Sequence, residues 1–363
     1  MEKSLSEIQL AWQRFTKDRI ALVALWVLGF LYAVALLADV IAPYPLKDES
    51  RLHTYCPPTT MGVLSPDGHW VGLHVRGVSM SYDQYRRRNY TVTKEIFPVR
   101  FMGHGEPYRF LGFITSDRHL FLVDKPGRIY LLGADSRGRD VFSRMVHGAR
   151  VSLTIGLLGV AISFAVGLLI GGIAGYWGGR VDYVLMRVCE MIMMVPGFYL
   201  LLALRAAVPD NFNSLQVYAA IVIILSFIGW AGLARVIRGM CLSLKERDYV
   251  LAARTMGVGD MEIIMRHILP HTISYSLAAV ALAVPGYILG ESALSLIGLG
   301  IQDPYASWGN MLSEAMSIVR IQFAPWILWP AFSIGVTVMC FNLVGDALRD
   351  AWDPMYKGSV REE

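Results

Sequence analysis

Long apolar segments, separated by short polar ones, dominate the chain. Six segments have about 20 residues or more that are mainly apolar, enough to cross the hydrocarbon core of a bilayer of about 30 Å as a helix. Five carry no charged residue, and the third carries Arg187 and Glu190 near its start. The six segments are Ile20–Ala38, Val151–Trp177, Tyr183–Leu204, Ser214–Ala234, Thr272–Gly290 and Ile321–Gly345. The pattern predicts an all-α polytopic membrane protein with six transmembrane helices.

Composition agrees with this prediction. The 363 residues are 55% hydrophobic and only 17% charged, whereas a soluble domain carries about 25% charged residues. The first apolar segment is longer than the 7–15 residues typical of a signal-peptide core, so a retained helix is predicted there.

Lysine and arginine are concentrated on one side of the predicted spans, and this predicts the orientation. With the N-terminus inside, the short outer loops hold only Arg205 and Arg320. The inner segments then hold Lys3, Arg14, Lys17, Arg19, Arg180, Arg187, Arg235, Arg238, Lys245, Arg247, Arg254, Arg266, Arg349, Lys357 and Arg361. Arg137, Arg139, Arg144 and Arg150 are the exception, next to a long outer segment that translocates largely regardless of charge. Both termini are predicted to be cytoplasmic, in a bacterial inner membrane.

Residues 43–133 form the largest polar segment, and it is predicted to be a β-rich periplasmic insertion between spans one and two. "HWVGLHVRGVSM" and "RHLFLVDKPGRIYLL" are typical of strands, and Asp124–Gly127 of a hairpin turn. "YRRRNY" (Tyr85–Tyr90) is interpreted as a solvated strand end. The remaining segments are 1–42, with the first span, the core 134–345 and a cytoplasmic tail 346–363.

The N-terminal tail has the spacing of an amphipathic helix. Ser4 and Glu7 form a capping-box pattern, and Leu5, Ile8, Trp12 and Phe15 follow at near-helical spacing. They predict an interfacial helix on the inner leaflet. The alternative is that these residues begin a longer first helix.

Four spans carry features of helix packing or bending. Gly167, Gly171 and Gly175 recur every four residues and predict a face for close helix packing. Arg187 and Glu190 are predicted to form an i,i+3 ion pair. The predicted bend points are Pro196–Gly197, Pro285–Gly286 and Pro330.

No motif for catalysis, nucleotide or metal binding occurs in the chain. GxxxxGK[ST], HExxH, GxSxG and DxDxDG are all missing from the sequence. His267 and His271 lie four apart, but a third metal ligand is lacking. Cys56 is alone in the external segment, so no intrachain disulfide is predicted there. The sequence indicates a transport pathway, without an enzyme activity or nucleic-acid binding.

One polar stretch, "LAARTMGVGDMEIIMRHILP" (Leu251–Pro270), interrupts the apolar pattern on the inner side. Asp248 is predicted to cap a helix whose face is Tyr249, Ala252, Ala253 and Met256. Gly257 is predicted to end it with positive φ. Asp260 is predicted to cap a second helix with the face Met261, Ile264, Met265 and Ile268, ended by Leu269–Pro270. Helices of about nine residues do not persist alone in water, so each must dock on another surface.

This stretch resembles the EAA coupling loop of ABC importer permeases. "GADSRGRDVFSRMVHGARVSL" (Gly133–Leu153), "LGESALSLIGLGIQDPYASWGNML" (Leu289–Leu312) and "FNLVGDALRDAWDP" (Phe341–Pro354) resemble the C-type permease subunit of the dipeptide, oligopeptide and nickel branch. The resemblance covers nearly the whole chain except about 47–128. Leu251 stands where the loop's glutamate is usual, His267 where an apolar residue is usual, and Ala134 where threonine is common.

The resemblance implies a type I ABC importer permease fold and one half of a translocation pore for peptides or related small solutes. A homologous permease would form the other half, and two ATPase subunits, which bind ATP and Mg²⁺, would dock on the loop 235–271. The contact residues would be Tyr249, Ala252, Ala253, Met256, Gly257, Met261, Ile264, Leu269 and Pro270. A periplasmic binding protein would deliver the solute, and Glu291, Ser295, Asp303 and Trp308 are the pore or gate candidates. The alternative class is a secondary transporter or channel subunit that ATP does not drive.

Overall fold

The computed structural model describes residues 7–65, 69–84, 88–110, 113–209 and 211–352. These residues are mostly helical, with one antiparallel sheet. The α-helices are α1 Glu7–Phe15, α2 Arg19–Leu36, α3 Ala38–Ile41, α4 Val141–Trp177, α5 Gly179–Met194, α6 Gly197–Ala206, α7 Ser214–Leu244, α8 Asp248–Thr255, α9 Asp260–Glu262, α10 Ile273–Leu296, α11 Trp308–Leu312, α12 Ile318–Phe323 and α13 Trp329–Trp352. The strands are β1 Met61–Leu64, β2 Trp70–Tyr82, β3 Arg88–Phe110 and β4 Ile114–Val123.

Five helical segments of the described chain are long and apolar enough to cross a membrane, and they coincide with five of the predicted spans. They are Arg19–Leu36, Val141–Trp177, Ser214–Leu244, Tyr275–Leu296 and Pro325–Trp352. A bent pair, α5 and α6, becomes a sixth if the two helices are counted as one span. The second span begins ten residues earlier than predicted, because the arginine-containing residues before Val151 continue the same helix.

The third predicted span is broken at Pro196. The axes of α5 and α6 differ by 89°, and Val195 between them has the extended conformation (φ −81°, ψ 124°). Proline disfavours the helical conformation in the residue before it and lacks an N–H. Pro196–Gly197 is therefore a helix break, as predicted. Pro285 lies inside a helix that continues through it, and Pro330 lies in the first turn of α13, where its missing N–H is tolerated.

The N-terminal helix α1 is separate from the first span. Residues 16–18 interrupt the helix, and the Asp18 carboxylate accepts hydrogen bonds from the backbone N–H groups of Ile20 and Ala21. Asp18 thus caps α2. The N-terminal residues therefore form a separate helix and are not the start of a longer first helix. The proposed cap residue Ser4 lies outside the described residues.

Four antiparallel strands form the sheet of the insertion, in the order β1-β2-β3-β4. β2 is the strand predicted from "HWVGLHVRGVSM", and β4 covers the first part of the second predicted strand. The predicted hairpin at Asp124–Gly127 is wrong, because β4 ends at Val123 and residues 128–132 are not a strand. Tyr85, Arg86 and Arg87 of "YRRRNY" lie outside the described residues.

Residues after the sheet close its core. Ile129 packs with Val75 and Val123, with Tyr44 and Phe97 against them. A second cluster joins Cys56, Tyr130 and Ala134, each completely buried. The segment between β4 and α4 is positioned by this apolar packing together with backbone hydrogen bonds, such as that from Thr59 N–H to the carbonyl of Tyr130 (2.9 Å).

The described chain divides into two compact units. One comprises 7–29, 154–291 and 336–352, and the other comprises 30–153 and 292–335. The first holds most of the span residues and the stretch 248–272, and the second holds the sheet and a cluster of arginines and carboxylates. The predicted division of the chain into the segments 1–42, 43–133, 134–345 and 346–363 stays a prediction.

Candidate functional site

The stretch Asp248–Thr272 folds as a helical hairpin. It consists of α8, a turn at Gly257, the short α9, a π-helical segment Ile263–Ile268 and a 3₁₀ turn Leu269–Thr272. Gly257 has φ +79°, a conformation in which a Cβ costs roughly 1–2 kcal/mol. The predicted glycine with positive φ is confirmed. The second helix is neither regular nor ended by Pro270, because the 3₁₀ turn leads directly into α10.

The hairpin docks on its own chain through a face that differs from the predicted one. Val250 and Ala253 of α8 are almost completely buried, together with Ile263, Ile268 and Cys241 of α7. Tyr249, Ala252 and Met256, which were predicted to share the face of Ala253, are exposed. The i, i+3, i+4 spacing did not separate the two faces, because apolar residues lie on both sides of this short helix.

Ile264 and Leu269 anchor the second half of the hairpin. They are buried in a cluster with Ile237, beside Leu168 and Ile173 of α4. A methyl group on Gly172 would lie 3.1 Å from both side chains. The hairpin therefore packs on α4 as well as on α7, and Pro270 beside Leu269 is exposed.

Asp260 links the hairpin to the end of α4 and is not the predicted helix cap. Gly259 occupies the cap position of α9, with no side-chain hydrogen bond. The Asp260 carboxylate instead accepts hydrogen bonds from the Tyr176 hydroxyl (2.8 Å) and the Trp177 indole N–H (3.2 Å). These two hydrogen bonds lower the pKa of Asp260. Asp248 is likewise the first residue of α8, and no side chain caps that helix.

Five large apolar side chains of the hairpin are exposed. They are Tyr249, Leu251, Met256, Met261 and Met265, and Met256 is 75% exposed. Tyr249, Met256 and Met261 were predicted as contact residues, and Leu251 was not. The exposure of Leu251 could have been expected from the uninterrupted apolar run Tyr249–Ala253, because consecutive residues of a helix point to different faces. His271 lies against Tyr249, with ring centroids 5.1 Å apart.

The predicted glycine face of α4 contacts α7. A methyl group on Gly171 would lie 2.5 Å from the carbonyl oxygen of Ala234, and one on Gly167 would touch Leu233. One on Gly175 would lie 2.6 Å from the Cβ of Cys241. These glycines permit backbone contact between two spans. The predicted ion pair of Arg187 and Glu190 is confirmed at 2.7 Å.

Three of the four pore candidates are buried side chains. Trp308 is 1% exposed, and its indole N–H donates to the carbonyl of Met145 (3.1 Å). The Ser295 hydroxyl accepts a hydrogen bond from the backbone N–H of Ile301 (3.2 Å). Glu291 lies in α10 and is completely buried. Their role in a pore stays a prediction.

Asp303, the fourth candidate, lies among three arginines. Its carboxylate accepts hydrogen bonds from Arg139 (2.7 Å) and Arg144 (3.2 Å), and Arg137 lies 3.3 Å away. Burial opposes ionisation of Asp303, but the arginines outweigh it and lower its pKa. In the sequence these arginines stood out only as an exception to the distribution of lysine and arginine. Their pairing with Asp303 was not predicted, because Asp303 lies more than 150 positions away.

Together these features define an integral membrane protein whose spans are attached to a short helical hairpin with an exposed apolar surface. Within residues 7–352, leaving out the undescribed gaps, no group of three histidine, cysteine, aspartate or glutamate side chains has the geometry of a metal site.

Comparison with known proteins identifies the family. Residues 167–358 match the model of the binding-protein-dependent transport system inner membrane component, and residues 6–58 match that of the N-terminal TM domain of oligopeptide transport permease C. The first match covers more than half of the chain. The chain therefore belongs to the family of binding-protein-dependent transport system inner membrane components.

Several relatives are similar over most of their length. The chain is 30% identical to the dipeptide transport system permease protein DppC of Bacillus subtilis, over 97% of this chain and 87% of the relative. It is 40% identical to the oligopeptide transport system permease protein OppC of Haemophilus influenzae, over 62% of this chain and 70% of the relative. A chain from a solved structure of the MetNI methionine ABC transporter is 16% identical, with a TM-score of 0.43, over 57% of this chain and 95% of that chain.

The family assignment decides between the two classes left open by the sequence. The chain is a permease subunit of an ABC transporter and an inner-membrane component, and a secondary transporter is the wrong class. A binding-protein-dependent permease of this kind works with ATPase subunits and a solute-binding protein, and ATP is hydrolysed on those separate ATPase chains.

Proposed function

We propose that this chain forms half of the pore of a type I ABC importer for peptides or related small solutes, and that its hairpin is the docking surface for an ATPase subunit. A homologous permease forms the other half. Two ATPase subunits bind ATP and Mg²⁺, and a periplasmic binding protein delivers the solute. The names of the relatives, which are dipeptide, oligopeptide and glutathione permeases, support this substrate class.

The exposed apolar surface of the hairpin is the observation that carries the proposal. Val250, Ala253, Ile263 and Ile268 hold the hairpin on α4 and α7, so Tyr249, Leu251, Met256, Met261 and Met265 have no role in that packing. Methionine adapts its shape to a partner and is common at such surfaces. A short helix that presents apolar side chains suits a groove on another protein.

The same proposal places both termini and the hairpin in the cytoplasm and residues 43–133 in the periplasm. It is supported by the lysine and arginine distribution, since the hairpin and its flanks carry Lys245, Arg247, Arg254 and Arg266. Pore opening would follow from movement of the hairpin, which the packing of Ile264 and Leu269 transmits to α4.

The insertion would take part in docking the binding protein. Trp70 and Phe101 of the sheet, and Phe113 directly before β4, are large aromatic side chains with exposed fractions of 64% or more. Aromatic residues are enriched in protein interfaces. The alternative is a passive cap that only stabilises the fold.

Charged substitutions on the hairpin test the ATPase contact. Met256→Asp places a carboxylate on the exposed surface, while Thr255→Asp places the same charge on the neighbouring exposed residue, which is polar. Both variants should insert normally. We expect Met256→Asp to reduce at least severalfold the amount of ATPase that co-purifies, and Thr255→Asp to have a smaller effect. Normal ATPase retention and transport in Met256→Asp combined with Met261→Asp would refute the proposal.

Polar substitutions on the sheet test the docking of the binding protein. Trp70→Ser, Phe101→Ser and Phe113→Ser are made together, because exposed side chains contribute little to the fold. We expect basal ATPase activity to persist and its stimulation by the binding protein to fall. If stimulation is unchanged, the insertion is a passive cap.

A further inference from the structure

The cluster around Asp303 contains more hydrogen-bond donors than acceptors. The Asp135 carboxylate accepts from the backbone N–H groups of Arg137 (2.8 Å) and Arg139 (3.0 Å) through Oδ1, and from Nε of Arg139 (2.7 Å) through Oδ2. Nε of Arg144 lies 3.5 Å from the same Oδ2. Asp303 is shared by all three arginines. Both carboxylates are therefore already occupied by arginine and backbone donors.

Arg144 retains a donor group that these carboxylates do not reach. Its side chain is 4% exposed, and Nε and Nη2 are the atoms directed to Asp135 and Asp303. Nη1 is buried and has no hydrogen-bond partner among the residues that the structure describes. A buried charged donor without an acceptor is unfavourable, so such a group marks a place where an acceptor is missing.

Arg144 lines a cavity of about 370 Å³ in the unit that contains the sheet. The charged residues Arg139, Asp135, Asp303 and Glu314 also line this cavity, with the polar residues Ser295, Gln302, Asn310 and Ser313. The apolar part of the lining is formed by Val141, Leu296, Ile297, Ile301, Met311, Ile327 and Pro330. Cavities that bind small molecules have about this volume.

We propose that this cavity binds the carboxylate of a small molecule with an apolar body, and that Nη1 of Arg144 donates to that carboxylate. Arginine matches the planar geometry of a carboxylate, and a charge-assisted bond in a buried site is strong. The apolar wall would hold the rest of the molecule. The inference concerns a ligand site and does not depend on which solute the transporter imports.

The carboxylates of the lining disfavour a doubly charged ligand. The Glu314 carboxylate accepts hydrogen bonds from the Ser136 hydroxyl and backbone N–H (3.2 Å to the latter). Burial, together with the charge of Asp135, raises the pKa of Glu314. Three carboxylates already line the cavity, so a doubly charged group such as phosphate would meet stronger repulsion than a carboxylate does.

The test compares two probes with the same apolar body, one with a charged carboxylate and one with a neutral amide as head group. Hexanoate and hexanamide have the same apolar body, and their dissociation constants are measured by saturation-transfer NMR on the full transporter complex in lipid nanodiscs. We expect hexanoate to bind at least tenfold more tightly than hexanamide. Arg144→Lys, which keeps the charge but not the guanidinium, should weaken hexanoate at least fivefold and leave hexanamide unchanged.

Two further variants make the outcome decisive. Arg137→Gln removes an arginine of the same cluster that does not line the cavity, so hexanoate binding should persist. Ile301→Phe enlarges a buried apolar side chain of the lining without changing a charge, so it should weaken both probes, even if Arg144→Lys fails to assemble. Equal affinities of the two probes for the unmodified complex would overturn the proposal. A second outcome would also overturn the proposal: the unmodified complex does not bind hexanoate, and Arg144→Lys no longer docks the binding protein. In that case the partner of Arg144 would be a carboxylate of the binding protein.

Discussion

The hydroxyl of Tyr176, at the end of α4, donates a hydrogen bond of 2.8 Å to the carboxylate of Asp260, at the start of α9. The hairpin is thus tied by a side-chain contact to the span on which it also packs. This hydrogen bond adds a directional contact to the apolar packing between the hairpin and α4.

Asp260→Leu should uncouple the hairpin from α4. It removes both acceptors for Tyr176 and Trp177 but leaves the exposed apolar surface intact, so we expect ATPase subunits to co-purify normally while transport falls severalfold. The matched control is Glu262→Leu, which removes a nearby carboxylate whose partner is Arg266 on the same hairpin. Transport assays in the same cells, normalised to membrane content, measure the difference. Equal transport in the two variants would mean that the Asp260 contact has no mechanical role.

Substitution of Gly257 should act through backbone strain alone. A Cβ at this position would meet no described atom within 4 Å, so the cost is that of the left-handed conformation, roughly 1–2 kcal/mol. We expect Gly257→Val to impair ATPase retention and transport more than Gly257→Ala, because β-branching adds to the strain. Gly259→Ala is the control, since Gly259 has φ −64° and equally open surroundings. An equal effect of the two alanine variants would contradict this account.

The thiol of Cys56 should react slowly with alkylating reagents in the folded protein. Cys56 is completely buried against Tyr130 and Ala134, and burial raises the pKa of its thiol to about 12. The reactive thiolate forms only as the pH rises toward that value. We expect labelling by iodoacetamide at pH 8 to be slow before denaturation in SDS and fast after it. Rapid labelling of the folded protein would show that Cys56 is accessible.

The orientation is tested with introduced cysteines, because Cys56 and Cys241 are both buried and cannot report the two sides. Asn89 on β3 and Thr255 on the hairpin are exposed. In a background without the four native cysteines, Asn89→Cys should react with an impermeant maleimide in intact spheroplasts. Thr255→Cys should react only after permeabilisation. The reverse result would invert the proposed topology.

A methyl group on Gly171 should separate α4 from α7. It would lie 2.5 Å from a backbone oxygen, which cannot move as a side chain does, and overpacking of this kind costs about 1–3 kcal/mol. Gly171→Ala should therefore lower the thermal unfolding temperature of the purified complex by several degrees. Gly232→Ala serves as the comparison, because its Cβ would meet no described atom within 4 Å. An unchanged unfolding temperature in Gly171→Ala would show that the helices separate easily.

The sequence predicted those features that depend on local composition. Five spans follow from uninterrupted apolar runs, the break follows from Pro196, and the turn follows from Gly257. Each is dictated by a residue or a run whose effect does not depend on distant parts of the chain.

Features that depend on distant residues were missed. The hairpin has apolar residues on two faces, and the face that is buried is the one on which Val250 and Ala253 pack with Cys241. Asp260 has the spacing of a helix cap, but two donors from α4 take its carboxylate. The pairing of Arg139 with Asp303 spans 164 positions, and no local pattern indicates it.

The right-angled break at Pro196 restricts what can surround this part of the chain. With 16 and 10 residues, α5 and α6 are about 24 Å and 15 Å long, and neither alone matches a hydrocarbon core of about 30 Å. Pro196 has no N–H, so it cannot bond to the carbonyl of Ile192, its partner in a regular helix. Acyl chains offer no donor to such a carbonyl. The break must therefore face water or another polypeptide, and lipid can solvate only the uninterrupted turns on either side of it.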